Sequence, residues 1–236
     1  MNTHTLPIIG YHHSPLTQKF GIPRQPNLVA IKSHIRFVAP FDTPDAFAGI
    51  EQYSHLWVLW QFHHNKSQAN FRPQVRPPRL GGNDKIGVFA TRSMYRPSQL
   101  GLSVVALDKV EMVDNQTILH ITGADMADGT PIFDIKPYLP FVDNVSGAVG
   151  VDRPVTKTVI ISEPAKAKLA DCVSDGVLQP QDMQMISDLI AQDPRPAYRQ
   201  TETDSVFVMR YGAVDVEFYM DERGVLVLCG VRPLKP

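Results

Sequence analysis

The chain reads as mainly β: an antiparallel barrel or sandwich, followed by a small α+β unit. Three observations predict this. Short apolar segments rich in β-branched and aromatic residues recur at close spacing, with turn residues between them. Twenty prolines against fifteen glycines favour rigid loops and short elements over long helices. Clear helical spacing of apolar residues occurs late, at residues 163–173 (Ala165, Leu169, Cys172) and 182–191 (Met185, Ile186, Leu189, Ile190). At 236 residues the chain accommodates one large domain or a medium and a small one. The composition shift near residues 144–154 (NVSGAVGVDRP) reads as a linker, and places the units at 1–157 and 158–236.

Each element follows from local chemistry. Residues 6–11 (LPIIGY) read as a first strand. Residues 12–26 are irregular, because Pro15, Pro23 and Pro26 forbid a long element. Those prolines also hold Arg24-Gln25 extended, either as a surface turn or as a grip for a carboxylate or amide. Residues 29–39 (VAIKSHIRFVA) read as a strand with mixed faces. Asp42 or Thr43 caps a short helix that starts at Pro44 and reaches about residue 51. Residues 55–62 (HLWVLWQF) form a central strand by length and aromatic content. Residues 72–82 are a proline-stiffened basic loop, and residues 86–90 and 102–113 are strands. Asp114-Asn115 turn the chain into a hairpin partner at 117–122 (TILHIT). A polar loop at 124–131 precedes a strand at 131–140. The second unit adds a strand at 158–162, the two helices, and strands at 206–211, 214–220 and 225–231.

Net charge is −1, so bulk charge selects no partner. Locally, Lys66, Arg72, Arg76, Arg79, Lys85, Arg92 and Arg96 stand against Asp84 alone, an excess of six positive charges. Such a stretch is either a solvated loop face or a surface for a phosphate-rich partner. Cys172 and Cys229 lack metal or redox spacing and read as free, buried thiols of a reducing compartment. No apolar run reaches membrane-spanning length, so a cytoplasmic protein is expected. His63-His64 have no third partner at ligand spacing, so no metal site is read there. Residues 87–101 (GVFATRSMYRPSQLG) concentrate Thr91, Arg92, Ser93, Tyr95, Arg96, Ser98 and Gln99 between two strands, a loop suited to a polar ligand.

Six stretches then align with one family. They are KFGIPRQP (19–26), SHLWVLW (54–60), RPPRLGG (76–82), GVFATRS (87–93), DGTPIFDIKPYLP (128–140) and AQDPRPAYR (191–199). In this order they resemble the TsaA-like proteins, specifically the bacterial tRNA methyltransferases that act on N6-threonylcarbamoyladenosine beside the anticodon. The resemblance implies a small β-barrel that binds S-adenosylmethionine (SAM), a homodimer, and a tRNA substrate. It implies cofactor contacts at Pro23, Arg24, Gln25, His63, His64, Arg92, Leu102 and the loop holding Asp125, Asp128, Gly129 and Thr130. The family loop usually reads Arg-Pro-Asn-Pro-Ile-Gly, whereas this chain has Arg96-Pro97-Ser98-Gln99-Leu100-Gly101. Gln99 in place of proline is expected to loosen the loop, and His64 stands where glutamine is common.

The chemistry is consistent with that implication. No G-x-G-x-x-G turn is present, so a bound SAM requires a barrel-based site rather than a Rossmann one. Arg92 or Arg24 suits the cofactor carboxylate through a bidentate fork, Asp125 or Asp128 suits its ribose and ammonium, and Leu102 covers adenine. The target nitrogen belongs to a urea and must lose its proton; Asp134, Asp128 or a histidine are candidate bases. Asp134 alternates with apolar neighbours, so a structural ion pair is an equal reading. Arg72, Arg76, Arg79, Arg96, Arg195 and Arg199 are expected to face RNA, with Tyr95 stacking on a splayed base. Two other functions remain open: a non-catalytic SAM or nucleotide sensor, and a methyltransferase for another small acceptor.

Overall fold

The computed structural model describes residues 4–66, 70–77, 84–114 and 116–234. The strands, in chain order, begin with β1 (Gly10–His13), β2 (Lys32–Phe37) and β3 (His55–Gln61). Two short strands follow, β4 (Gln74–Val75) and β5 (Ile86–Gly87). Then come β6 (Leu100–Val113), β7 (Gln116–Thr122) and β8 (Thr130–Pro137). All but β4 and β5 close into an antiparallel barrel in the order β1-β2-β7-β6-β3-β8, with β8 returning to β1. Of the barrel and the sandwich, the barrel forms.

Strict alternation builds its interior. In β3, Leu56, Val58 and Trp60 point inward, while His55, Trp57 and Leu59 point out. Ile35, Phe37, Val105, Leu119, Ile121 and Ile132 join them, all essentially without exposure. A barrel of six strands is narrow enough for side chains to fill it completely. Gly101 matters here: the Trp60 indole lies against its Cα, where any Cβ would overlap the ring. His12 also points inward and has no exposure. Its Nδ1–H donates to the Ala127 carbonyl at 3.0 Å, and burial pushes its pKa down to about 4, so the ring is neutral.

Several expectations shift at this level. The first strand starts at Gly10, although Ile9 already bonds to Ile132 and Val38 in the same ladder. The helix expected after Pro44 is two 3-10 turns, Pro44–Phe47 and Ile50–Gln52, separated by Gly49 at φ 84°. The strand expected over 86–90 ends at Gly87 and tightens into a 3-10 turn, Val88–Ala90. Its partner segment carries Pro73 and Pro77, which offer no N–H to a longer ladder. Asn115, half of the expected turn, lies outside the described residues.

After a short helix α1 (Pro140–Asp143), the chain reaches β9 (Val159–Ile161), α2 (Glu163–Ser174) and α3 (Asp182–Ala191). Ser162 caps α2 by accepting the Ala165 N–H. Strands β10 (Phe207–Tyr211), β11 (Val214–Met220) and β12 (Leu226–Pro233) complete a second sheet in the order β10-β11-β12-β9. The helices cover it through Leu169, Cys172, Ile186, Leu189 and Ile190. Leu16, Val29 and Ile31, from the loop between β1 and β2, are buried in the same cluster. The barrel's own loop therefore completes the second core. Cys172 is buried and Cys229 only half-buried, both free. Among the described residues no helix is long and apolar enough to cross a membrane.

The segment after α3 corrects one expectation. Arg195 does not face RNA: it is fully buried. Its guanidinium makes two bonds to Asp193, at 2.7 and 2.9 Å, and two more to the carbonyls of Gln200 and Glu202, both at 3.0 Å. A buried charge survives only with partners for its donors, and these bonds engage four of the five guanidinium N–H groups. We predict that Arg195→Ala lowers unfolding stability by about 3–5 kcal/mol, because Asp193 is left charged and unpaired. Chemical denaturation measures this, and a loss below about 1 kcal/mol would show that the pair does not hold the segment.

Candidate active site

Four segments converge at one end of the barrel. The first is the proline-bracketed loop. Pro23 is buried, which anchors it, while Arg24 is exposed and Gln25 half-buried. Arg24 Nη2 donates to the carbonyls of Asp193 (3.2 Å) and Arg195 (3.5 Å), so the second unit steadies this loop. Gln25 uses its amide N–H on the Arg24 carbonyl and its oxygen on Arg92.

The second segment is the loop before β6. Arg92 is exposed, and its Nη1 donates to Gln25 Oε1 at 2.6 Å. Thr91, Ser93 and Ser98 turn their hydroxyls onto nearby backbone, which shapes the loop locally. Arg96 donates to the Thr91 carbonyl at 3.3 Å, so part of its guanidinium holds the loop itself. Gln99, expected to loosen the loop, is held by a backbone hydrogen bond. It sits at φ 52°, a conformation closed to proline, and its N–H bonds to the Arg96 carbonyl at 3.0 Å. The residue at this position thus closes a hydrogen-bonded turn that proline cannot form.

The third segment follows β3. Thr130 gives its hydroxyl proton to the Ala127 carbonyl at 2.8 Å and faces His63 Nδ1 at 3.3 Å. Burial, and then the neighbouring His64, lower the pKa of His63. The two histidine rings lie 4.0 Å apart, with His64 exposed. Asn65 ties the loops together, accepting from Lys19 at 2.6 Å and donating to the Met94 carbonyl at 3.4 Å.

The fourth segment joins β7 to β8. Asp125 is half-buried, and its Oδ1 lies 2.5 Å from Ser103 Oγ. Ser103 in turn receives the Trp60 indole N–H at 2.9 Å. Burial raises the Asp125 pKa to about 6, against the opposing pull of the Ser103 hydrogen bond and the Arg92 charge. Asp128 Oδ1 accepts the Ser14 N–H at 3.0 Å and lies 3.7 Å from His13 Nδ1. Gly129, at φ 72°, turns the chain with room to spare: the nearest atom to a built Cβ is His63 Nε2, 4.0 Å away.

Leu102 is half exposed at 51 % and pairs across β3 with Leu59, which pairs in turn with Asp134. Leu102 and Asp134 thus share one outward row of the barrel wall, with Asp134 exposed. Arg72 and Arg76 are exposed, and Arg79 lies outside the described residues. Tyr95 is 51 % exposed. Arg199 is committed to Glu202 through a two-pronged pair (2.7–2.9 Å) and stands 4.4 Å over the Phe207 ring. Lys66, Lys85 and Arg92 complete the exposed cations of the basic stretch.

Ser103, Trp60 and Asn65 escaped the sequence reading. Ser103 carried one signal: a hydroxyl at an inward position of an apolar strand, which demands a buried polar partner.

The chain is similar throughout to known methyltransferases. The family description "tRNA-methyltransferase O N-terminal domain" matches residues 11–144, and "TrmO C-terminal domain" matches residues 154–232. The tRNA (adenine(37)-N6)-methyltransferase of Escherichia coli K12 is 41% identical over 203 residues, 82% of this chain and 83% of that protein. A Pseudomonas aeruginosa protein with the name "Putative S-adenosylmethionine-dependent methyltransferase RcsF" is 39% identical over 220 residues, 92% of this chain and 93% of its own. A crystal structure of TrmO from Pseudomonas aeruginosa superposes with a TM-score of 0.80 at 31% identity, covering 99% of this chain and 98% of that one. The chain belongs to the tRNA-methyltransferase O family.

Proposed function

We propose that this protein methylates N6 of threonylcarbamoyladenosine at position 37 of tRNA, using SAM. The coarser activity, SAM-dependent methylation of tRNA adenine at N6, follows from the family and from relatives that share most of the chain. The observation that supports the finer reading is the Arg92 guanidinium beside the half-buried Asp125 carboxylate at the barrel rim, in a chain whose neighbouring cations are exposed.

The donor set fits the cofactor. Arg92 keeps donors open beyond its bond to Gln25, and a guanidinium matches a carboxylate in a fork. The 125–130 loop offers Asp128 and backbone acceptors for an ammonium and a ribose, and the open turn at Gly129 leaves space beside His63. Leu102 provides apolar cover. Pro23, Arg24, Gln25, His63 and His64 frame the same place. When bound, SAM supplies an activated methyl on a sulfonium, so the chain's own task is positioning. Arg72, Arg76 and neighbouring cations would take RNA phosphates, with Tyr95 against an unstacked base. The threonyl group adds a carboxylate to the base, and Arg96 is the cation we assign to it.

A homodimer belongs to the same reading. Phe141, Val142, Val145 and Val149 expose 57–99 % of their surface, an apolar run that a second copy would cover. The cytoplasm, where tRNA is modified, is the compartment that suits it.

Two predictions follow from these assignments. With SAM, the protein should add one methyl to threonylcarbamoylated tRNA and none to unmodified transcript, read by digestion and mass spectrometry. Equal methylation of both would remove the prior modification from the substrate. Arg92→Ala should weaken SAM binding about tenfold or more, the loss of a charged hydrogen bond. Unchanged affinity by calorimetry, with the fold intact, would take Arg92 out of the cofactor site.

A further inference from the structure

The proton that leaves the target nitrogen needs an acceptor, and the structure separates the carboxylates near the site. Asp134 stands exposed on the outer wall. Asp128 spends Oδ1 on the Ser14 N–H and faces His13. His12 is sealed inside the barrel. Asp125 is half-buried, and unlike Asp128, which is held by loop backbone with its side chain 41 % exposed, it is held by side chains of the barrel strands.

Its hydrogen bonds run in one direction only. The Trp60 indole is a donor and never an acceptor, so Ser103 Oγ must accept its N–H. The Ser103 proton is then committed to Asp125 Oδ1, 2.5 Å away. That chain fixes the carboxylate plane from inside the barrel and leaves Oδ2 as the oxygen without a partner from it. Both supports lie on barrel strands, Trp60 on β3 and Ser103 on β6, so the group is held by rigid elements. Arg92, bonded to Gln25 of the neighbouring loop, is the charged group that acts on it.

From this geometry we infer that Asp125 Oδ2 is the proton acceptor for the methylated nitrogen, with Ser103 and Trp60 as its positioning residues. The inference rests on the function proposed above. As the new C–N6 bond forms, the N6–H bond breaks and its proton passes to Oδ2. The electron pair of the severed S–CH3 bond stays with sulfur, which ends as a neutral thioether. Burial supports the role, because it raises the Asp125 pKa to about 6 and so makes it a stronger base than an aspartate in water, yet still ionised at neutral pH.

The test combines binding, rate and titration. Single-turnover methylation of threonylcarbamoylated tRNA at saturating SAM should rise with pH, one decade per unit, and level off above about 6. Asp125→Asn keeps an acceptor for Ser103. It should bind SAM within about threefold of wild type by calorimetry, yet react about a hundredfold or more slowly and lose the inflection. Ser103→Ala removes a hydrogen bond that favours the charged form. It should move both the rate inflection and the Asp125 carboxyl NMR titration to higher pH together. Overturning results are equally clear. An Asp125→Asn enzyme that reacts at the wild-type rate, or one that merely loses SAM affinity while keeping its rate at saturation, excludes Asp125 as the acceptor. Wild-type enzyme inactive on modified tRNA overturns the proposed function itself, and this inference with it.

Discussion

The constraint on which this structure depends is closure of a small barrel. Pairing β8 with β1 satisfies both edge strands, and six strands leave a lumen only wide enough for side chains. Phe37, Leu56, Val58, Trp60, Leu119 and Ile132 fill it. A polar ligand therefore cannot lie inside. It must be met by loops at the rim and by the outer wall, and that is where Arg92, Gln25, His63, Asp125 and Leu102 are found. One polar line runs inward from the rim, Asp125 to Ser103 to Trp60, with every donor matched to an acceptor.

Contacts between the two units steady the loop that carries Arg24 and Gln25. Leu16, Val29 and Ile31 of the β1–β2 loop are buried in its core, which holds both ends of that loop. Between those anchors, Arg24 grips the carbonyls of Asp193 and Arg195. Arg195 is itself locked by Asp193 and by two further carbonyls, so the grip is on a rigid segment. A continuous series of hydrogen bonds thus runs from the segment after α3 through Arg24 and Gln25 to Arg92.

Much of the fold was legible in the sequence because burial repeats locally. Leu56, Val58 and Trp60 alternate, and Met185, Ile186, Leu189 and Ile190 follow helical spacing, so β3 and α3 stand where expected. Strand 86–90 misled because its apolar residues implied a ladder, while the prolines opposite it lacked donors. The site was legible to the extent that loops advertise donors, as in residues 91–99. What stayed hidden depends on long-range contacts. Ser103 and Asp125 are 22 positions apart, and nothing local says that they touch. Arg195 resembles an exposed cation in sequence, since its partner Asp193 becomes a buried one only after folding. Gln99 looked like a loosening change because its left-handed backbone is not written in its side chain.

The central claim is that SAM is held where the 23–25 loop, the 91–96 loop and the 125–130 loop meet. Amide hydrogen exchange with and without SAM tests it most directly. The account predicts slowed exchange in peptides covering those three loops, with α2 and α3 unchanged. Slowed exchange confined to α2, α3 or the second sheet, with the three loops unaffected, would contradict it.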